Sequence, residues 1–168
     1  MRVLYLLSVW LHILAAVLWL GGILFLTLVL VPAIRGSEYR RHSSGLFHHI
    51  GVRFRWIGWL CYGLLMASGT LNLVYRGVTW ETVTSWAFWT GPWGRLLGIK
   101  LLLVAVILLA SAYHDFVIGP RSTAAARAHP GSPQSQRLRR QASWVGRFNL
   151  ALGLVVVLLA VMLVRGGV

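Results

Sequence analysis

The sequence predicts an all-α integral membrane protein: a four-helix bundle crossing the bilayer, with both termini on the outer side. Three observations predict it. The 168 residues are 58% hydrophobic and only 11% charged, with a mean hydropathy of +0.74. The apolar residues are gathered into long runs. No Lys, Arg, Asp or Glu occurs from Val3 to Ile34, from Trp56 to Tyr75 or from Phe148 to Val164, and Lys100 alone interrupts Leu96 to His114. A helix needs about 20 mostly apolar residues to cross the hydrocarbon, so each run is a span. Finally, 11 of the 16 basic residues fall in two of the connections: Arg35, Arg40, Arg41, Arg53 and Arg55 in one, Arg121, Arg127, Arg137, Arg139, Arg140 and Arg147 in the other. By the positive-inside rule those connections are cytoplasmic.

Span one covers about residues 3–33. It is too long, and too rich in Trp and Gly at its centre, for a signal-peptide core of about 7–15 residues, so it reads as retained. Pro32 is expected to help end it. The segment "RGSEYRRHSSGLFHHIGVRFR" (35–55) reads as partly helical at the inner surface. Span two, about 56–76, opens on Trp56 and Trp59 at interfacial depth. The outer connection "RGVTWETVTSWAFWTGPWGR" carries Trp80, Trp86, Trp89 and Trp93. That density of Trp reads as anchoring in the headgroup layer, by a re-entrant or surface-lying segment. Span three covers about 95–118, with Pro120 as its stop. The second inner connection, 122–143, holds Pro130, Gly131 and Pro133 and reads as flexible. Span four covers about 146–165. Short outer and longer inner links give an up-down bundle that forms one domain, 1–168.

The net charge of +13 is explained by topology and by attraction to anionic headgroups, and a nucleic-acid partner is not expected. The predicted setting is the inner (plasma) membrane. Cys61 is the sole cysteine, which excludes disulfide frameworks and CxxC metal sites.

Ionisable groups inside spans are costly and mark functional positions. Here they are His12, Lys100, His114 and Asp115. At about 1.5 Å per residue, His12 lies roughly 13 Å below the outer end of its span, Lys100 roughly 8 Å below the same face, and His114 roughly 28 Å down, near the inner face. His12 and His114 therefore do not share one ion. An inner group of His114, His48 and His49 and an outer group of His12 and Lys100 result. The face of His12 also bears Ala15, Ala16 and Trp19. These leave room for a flat ligand, or else allow close helix packing with His12 hydrogen-bonded across it. His42 and His129 read as solvated loop residues, and Lys100 either snorkels to the headgroups or meets an anionic group.

The stretches "WLHILAAVLWLGGILFL", "GLLMASGTLNLVYRG", "WGRLLGIKLLLVAVILLASAYHDFVIGPR" and "RFNLALGLVVVLLAVMLV" together resemble the CopD-type membrane domain of copper resistance and copper transport proteins. The pattern is also similar to the HemJ-type protoporphyrinogen oxidases, which bind haem b. Leu11-His12 matches their first-span Leu-His, and Lys100 and His114 match their third-span Lys and His. Fourteen residues, close to four helical turns, separate that Lys and His, so they share a face.

Three functions follow as expectations. The first is a redox protein holding b-type haem, with His114 and His48 or His49 as axial ligands inside, and His12 with Lys100 at a propionate outside; its substrate would be a quinol or a porphyrin. A haem-dependent membrane oxidoreductase is then one outcome, and enzymatic activity stays open. The second is copper transport or resistance, with His12, Met66, Met162 and Cys61 as ligands and His48 and His49 as an inner acceptor site. The third is a non-catalytic assembly subunit, working as a homo-oligomer or beside a membrane partner.

Overall fold

Each apolar run folds as a helix, because lipid offers no partner to a backbone N–H or C=O and a helix satisfies both within the segment. The structure, a computed structural model, describes residues 2–35, 43–129 and 131–166, and of residues 34–35 and 43–48 the backbone alone. Among these residues there are helices and turns but no strand. Four helical stretches are long and apolar enough to cross a membrane: Arg2–Ala33, His49–Tyr75, Pro92–Ala128 and Pro133–Val164. Their outer surfaces are themselves apolar. Leu4, Trp10 and Val17 on the first, Leu60 on the second, Leu109 on the third and Leu158 on the fourth are all more than half exposed. That is the inside-out pattern of a chain solvated by acyl chains.

In chain order the helices are α1 (Arg2–Phe25), α2 (Val31–Arg35), α3 (Ser43–Tyr75), α4 (Trp80–Thr84), α5 (Trp86–Thr90), α6 (Pro92–Tyr113), α7 (Gly119–Ala128) and α8 (Pro133–Val164). A single π-helical turn joins α1 to α2 (Leu26–Leu30), and another joins α6 to α7 (His114–Ile118). The chain divides into two compact units, Met1–Val83 and Thr84–Val168. The first is built on the pairing of α1 with α3, the second on that of α6 with α8.

Several boundaries differ from the sequence expectation, for local reasons. The helix that carries span two, α3, starts at Ser43, so the described part of the basic segment from Ser43 onwards is helical, as expected for part of it. Pro32 and Pro120 do not stop their helices, and both lie just beyond a π-turn. In each case the residue before the proline donates its N–H five residues back, Val31 to Leu26 and Gly119 to His114. A proline ring inside an α-helix collides with the carbonyl four residues earlier and donates no hydrogen bond. Widening the preceding turn by one residue is a recognised way to relieve such a conflict, and π-turns occur mostly as isolated turns of this kind. The connection expected to be flexible is also mostly helical. α8 starts at Pro133, where proline suits the first turn, and the Ser132 hydroxyl caps it by accepting from the Ser135 N–H at 3.2 Å. Gly131 supplies the left-handed residue of this turn, with φ +82°.

The Trp-rich connection forms the one-turn helices α4 and α5. Trp80 and Trp86 are 81% exposed, which suits interfacial anchoring, whereas Trp93 turns inward and donates from Nε1 to the Leu163 carbonyl at 3.2 Å. This bond ties the start of α6 to the end of α8.

Candidate functional site

In the first unit the face that α1 turns to α3 consists of Ser8, His12, Ala15 and Trp19. The opposing face of α3 offers Gly58, Cys61, Tyr62, Ser68 and Gly69. Small residues bring the backbones together, as helix pairs in lipid require. A Cβ on Gly22 would collide with the Phe54 ring, and one on Gly69 would stand 3.3 Å from His12 Cε1. Trp19 and Tyr62 stack aslant with centroids 5.3 Å apart, and Trp59 meets the Tyr62 edge at 5.5 Å.

His12 is half-buried in this seam, its Nδ1 2.9 Å from Ser68 Oγ. The Ser68 hydroxyl donates its proton to the Leu64 carbonyl one turn back. Where that proton stays on the carbonyl, Oγ is the acceptor and His12 Nδ1 the donor of their hydrogen bond. Ser68 is itself fixed from α1, since Ser8 Oγ donates to the Ser68 carbonyl at 3.2 Å. The side-chain bonds thus position the ring.

His114 receives the same treatment by a different route. It begins the π-turn that closes α6, and its Nδ1 lies 2.9 Å from Asp115 Oδ1. A carboxylate can only accept, so the proton of this contact sits on Nδ1 and the ring's lone pair on Nε2. Histidines that bind metals nearly always donate the other ring N–H to a carboxylate, carbonyl or similar acceptor. One turn before His114, Ser111 Oγ accepts from Asn149 Nδ2 at 2.8 Å, a buried bond between α6 and α8.

The remaining expected residues are placed as follows. Lys100 is half-buried on α6, and His49 is exposed on α3. The side chain of His48, and His42 altogether, lie outside the described residues. His12 and Lys100 belong to different units, as do His114 and His49. No group of three or more His, Cys, Asp or Glu side chains suited to a metal ion forms among the described residues. Cys61 is buried, whereas Met66 on the same helix is 48% exposed, so these soft ligands do not form a ladder. A b-type haem finds no slot in the α1–α3 seam, where Gly69 abuts the His12 ring and Trp19 and Tyr62 fill the next turns.

Sequence reasoning passed over Ser68, Gly69 and Ser8, which orient His12. The run Ala67-Ser68-Gly69 was their signal, because consecutive small residues in a span mark a close helix contact.

Comparison with known proteins gives the relationship. A family model described as "Copper resistance protein D" (CopD) matches residues 48–163, a segment that holds His114, Asp115 and Ser68 but not His12. An uncharacterized protein of Aquifex aeolicus (strain VF5) is 28% identical over 156 residues, 92% of each chain. The Inner membrane protein YebZ of Escherichia coli (strain K12) is 28% identical over 110 residues, 66% of this chain but 34% of that one. The chain therefore spans about a third of the length of YebZ. No solved structure matches.

Proposed function

The chain belongs to the CopD family, and on that premise we propose that it is a copper-handling membrane protein whose cargo ion is met by the oriented imidazoles of His12 and His114. One observation supports the reading: both membrane histidines have Nδ1 2.9 Å from a side-chain oxygen that orients the ring. Imidazole suits copper among the first-row metals. Single ligands rather than a closed cage among the described residues also fit a cargo that must leave again. The b-type haem reading draws on the same two rings but needs a slab-shaped cavity beside one of them, and the filled α1–α3 seam lends it no support. The inner-membrane setting and cytoplasmic Arg-rich connections belong to the same proposal, resting on the distribution of arginines.

The test is copper retention and cellular copper content. Cells expressing the full chain should differ in copper content from cells carrying the His12→Gln, His114→Gln double variant, and copper should co-purify with the unsubstituted protein alone. Equal copper content and equal copper tolerance in both strains would remove the proposal. Function retained in the double variant would favour the non-catalytic assembly subunit.

A further inference from the structure

A second feature lies on the exposed side of the α6–α8 pair. A shallow apolar groove of about 360 Å³ is lined by Ala110, Tyr113, Trp144, Val145 and Phe148. Its aromatic walls are open to the surroundings: Trp144 is 69%, Tyr113 53% and Phe148 49% exposed. The groove sits where α8 changes character. On its N-terminal side the helix carries Arg137, Arg139 and Arg140, all exposed, and beyond Phe148 the basic residues cease until Arg165. The intervening Arg147 folds back over the Trp144 ring, its guanidinium carbon 5.8 Å from the centroid. This follows the general lean of helical side chains towards the N-terminus. It brings the Arg147 charge to the polar end of the groove, close to one turn from Arg140.

The chemistry of this arrangement is two-part. Below is an open aliphatic floor edged by flat rings, and above is positive charge. The helix supplies no balancing anion, because α8 contains four arginines and not one Asp or Glu. The matching occupant has an apolar tail and an anionic head. We infer that the groove is a binding site for an anionic phospholipid, with one acyl chain lying along Ala110 and Val145 and the phosphate held by Arg140 and Arg147. Trp144 marks the headgroup depth, where indole rings prefer to lie, and a guanidinium already stacked on a ring loses little freedom in meeting a phosphate. The site is independent of the copper reading, since neither histidine lines it.

Native mass spectrometry of the full chain in detergent, titrated with phosphatidylglycerol or phosphatidylcholine, tests the inference. Phosphatidylglycerol should be retained several-fold more than phosphatidylcholine. Each basic residue near an anionic surface is worth about a fivefold change in binding. Arg140→Gln with Arg147→Gln should therefore abolish the preference, while Trp144→Ala weakens retention of both lipids. Arg76→Gln, in the Trp-rich connection, should change neither. Equal retention of the two lipids by the unsubstituted chain, or a preference that survives the double arginine variant, would overturn the inference.

Discussion

The two membrane histidines are oriented by different chemistry. On α1, His12 leans on a serine hydroxyl from the facing helix, and that hydroxyl is committed to its own backbone. In the π-turn after α6, His114 leans on the carboxylate next to it in sequence. A hydroxyl can donate or accept and adds no charge. A carboxylate can only accept, so it fixes the ring proton at Nδ1 outright. The first arrangement depends on two helices staying in register. The second is a local property of one turn. The ring is therefore oriented by a tertiary contact in one unit and by local sequence in the other.

Four substitutions break or sharpen that contrast. The largest effect is expected from Gly69→Leu, whose branch has no space beside the His12 ring. Overpacking of this kind costs about 1–3 kcal/mol. Thermal unfolding in detergent should shift down, and copper retention through His12 should vanish; an unchanged midpoint would deny the close seam. Asp115→Asn comes next. It keeps shape and removes charge, and loss of an orienting partner lowers metal affinity by about 10–100-fold. Copper titration in a His12→Gln background isolates the effect, and unaltered affinity there would show that the carboxylate is idle.

Ser68→Ala should cost about 0.6–1.7 kcal/mol, the range of interhelical hydrogen bonds in lipid. Its sharper readout is nitrogen NMR of the imidazoles: His12 should lose its single tautomer while His114 keeps its own. Equal disturbance of both rings would erase the distinction between tertiary and local control. The smallest change is expected from Asn149→Leu. That amide gives its N–H to Ser111, but its buried carbonyl oxygen finds no hydrogen-bond partner among the described residues. Removing the amide deletes its unpaired oxygen but also takes the N–H from the buried Ser111 hydroxyl; the two effects oppose one another, so the unfolding midpoint should stay within about a degree or two.

The spans and the inward face of α1 were legible in the sequence, because charge-free runs and the 3.6-residue period are local properties. Ala15 and Trp19 are buried on the face read from His12. The partner of His12 was not legible, since Ser68 lies 56 residues away and register between two apolar helices leaves no mark in either. The fates of Pro32 and Pro120 were misread for another reason. Proline signals the end of an α-helix, and nothing in composition announces that the turn before it widens instead. His114 was found as an ionisable residue, but its place at the start of such a turn came only from backbone geometry.

Those widened turns have a geometrical effect on everything that follows them. One surplus residue rotates the succeeding helix by about 100° about its axis. The azimuth of α7, and hence the direction in which Arg121 and Arg127 project, is thus set by the geometry around Pro120. Exchanging that ring for alanine would let the helix rewind and swing both guanidinium groups to another side, with no change in span length or charge.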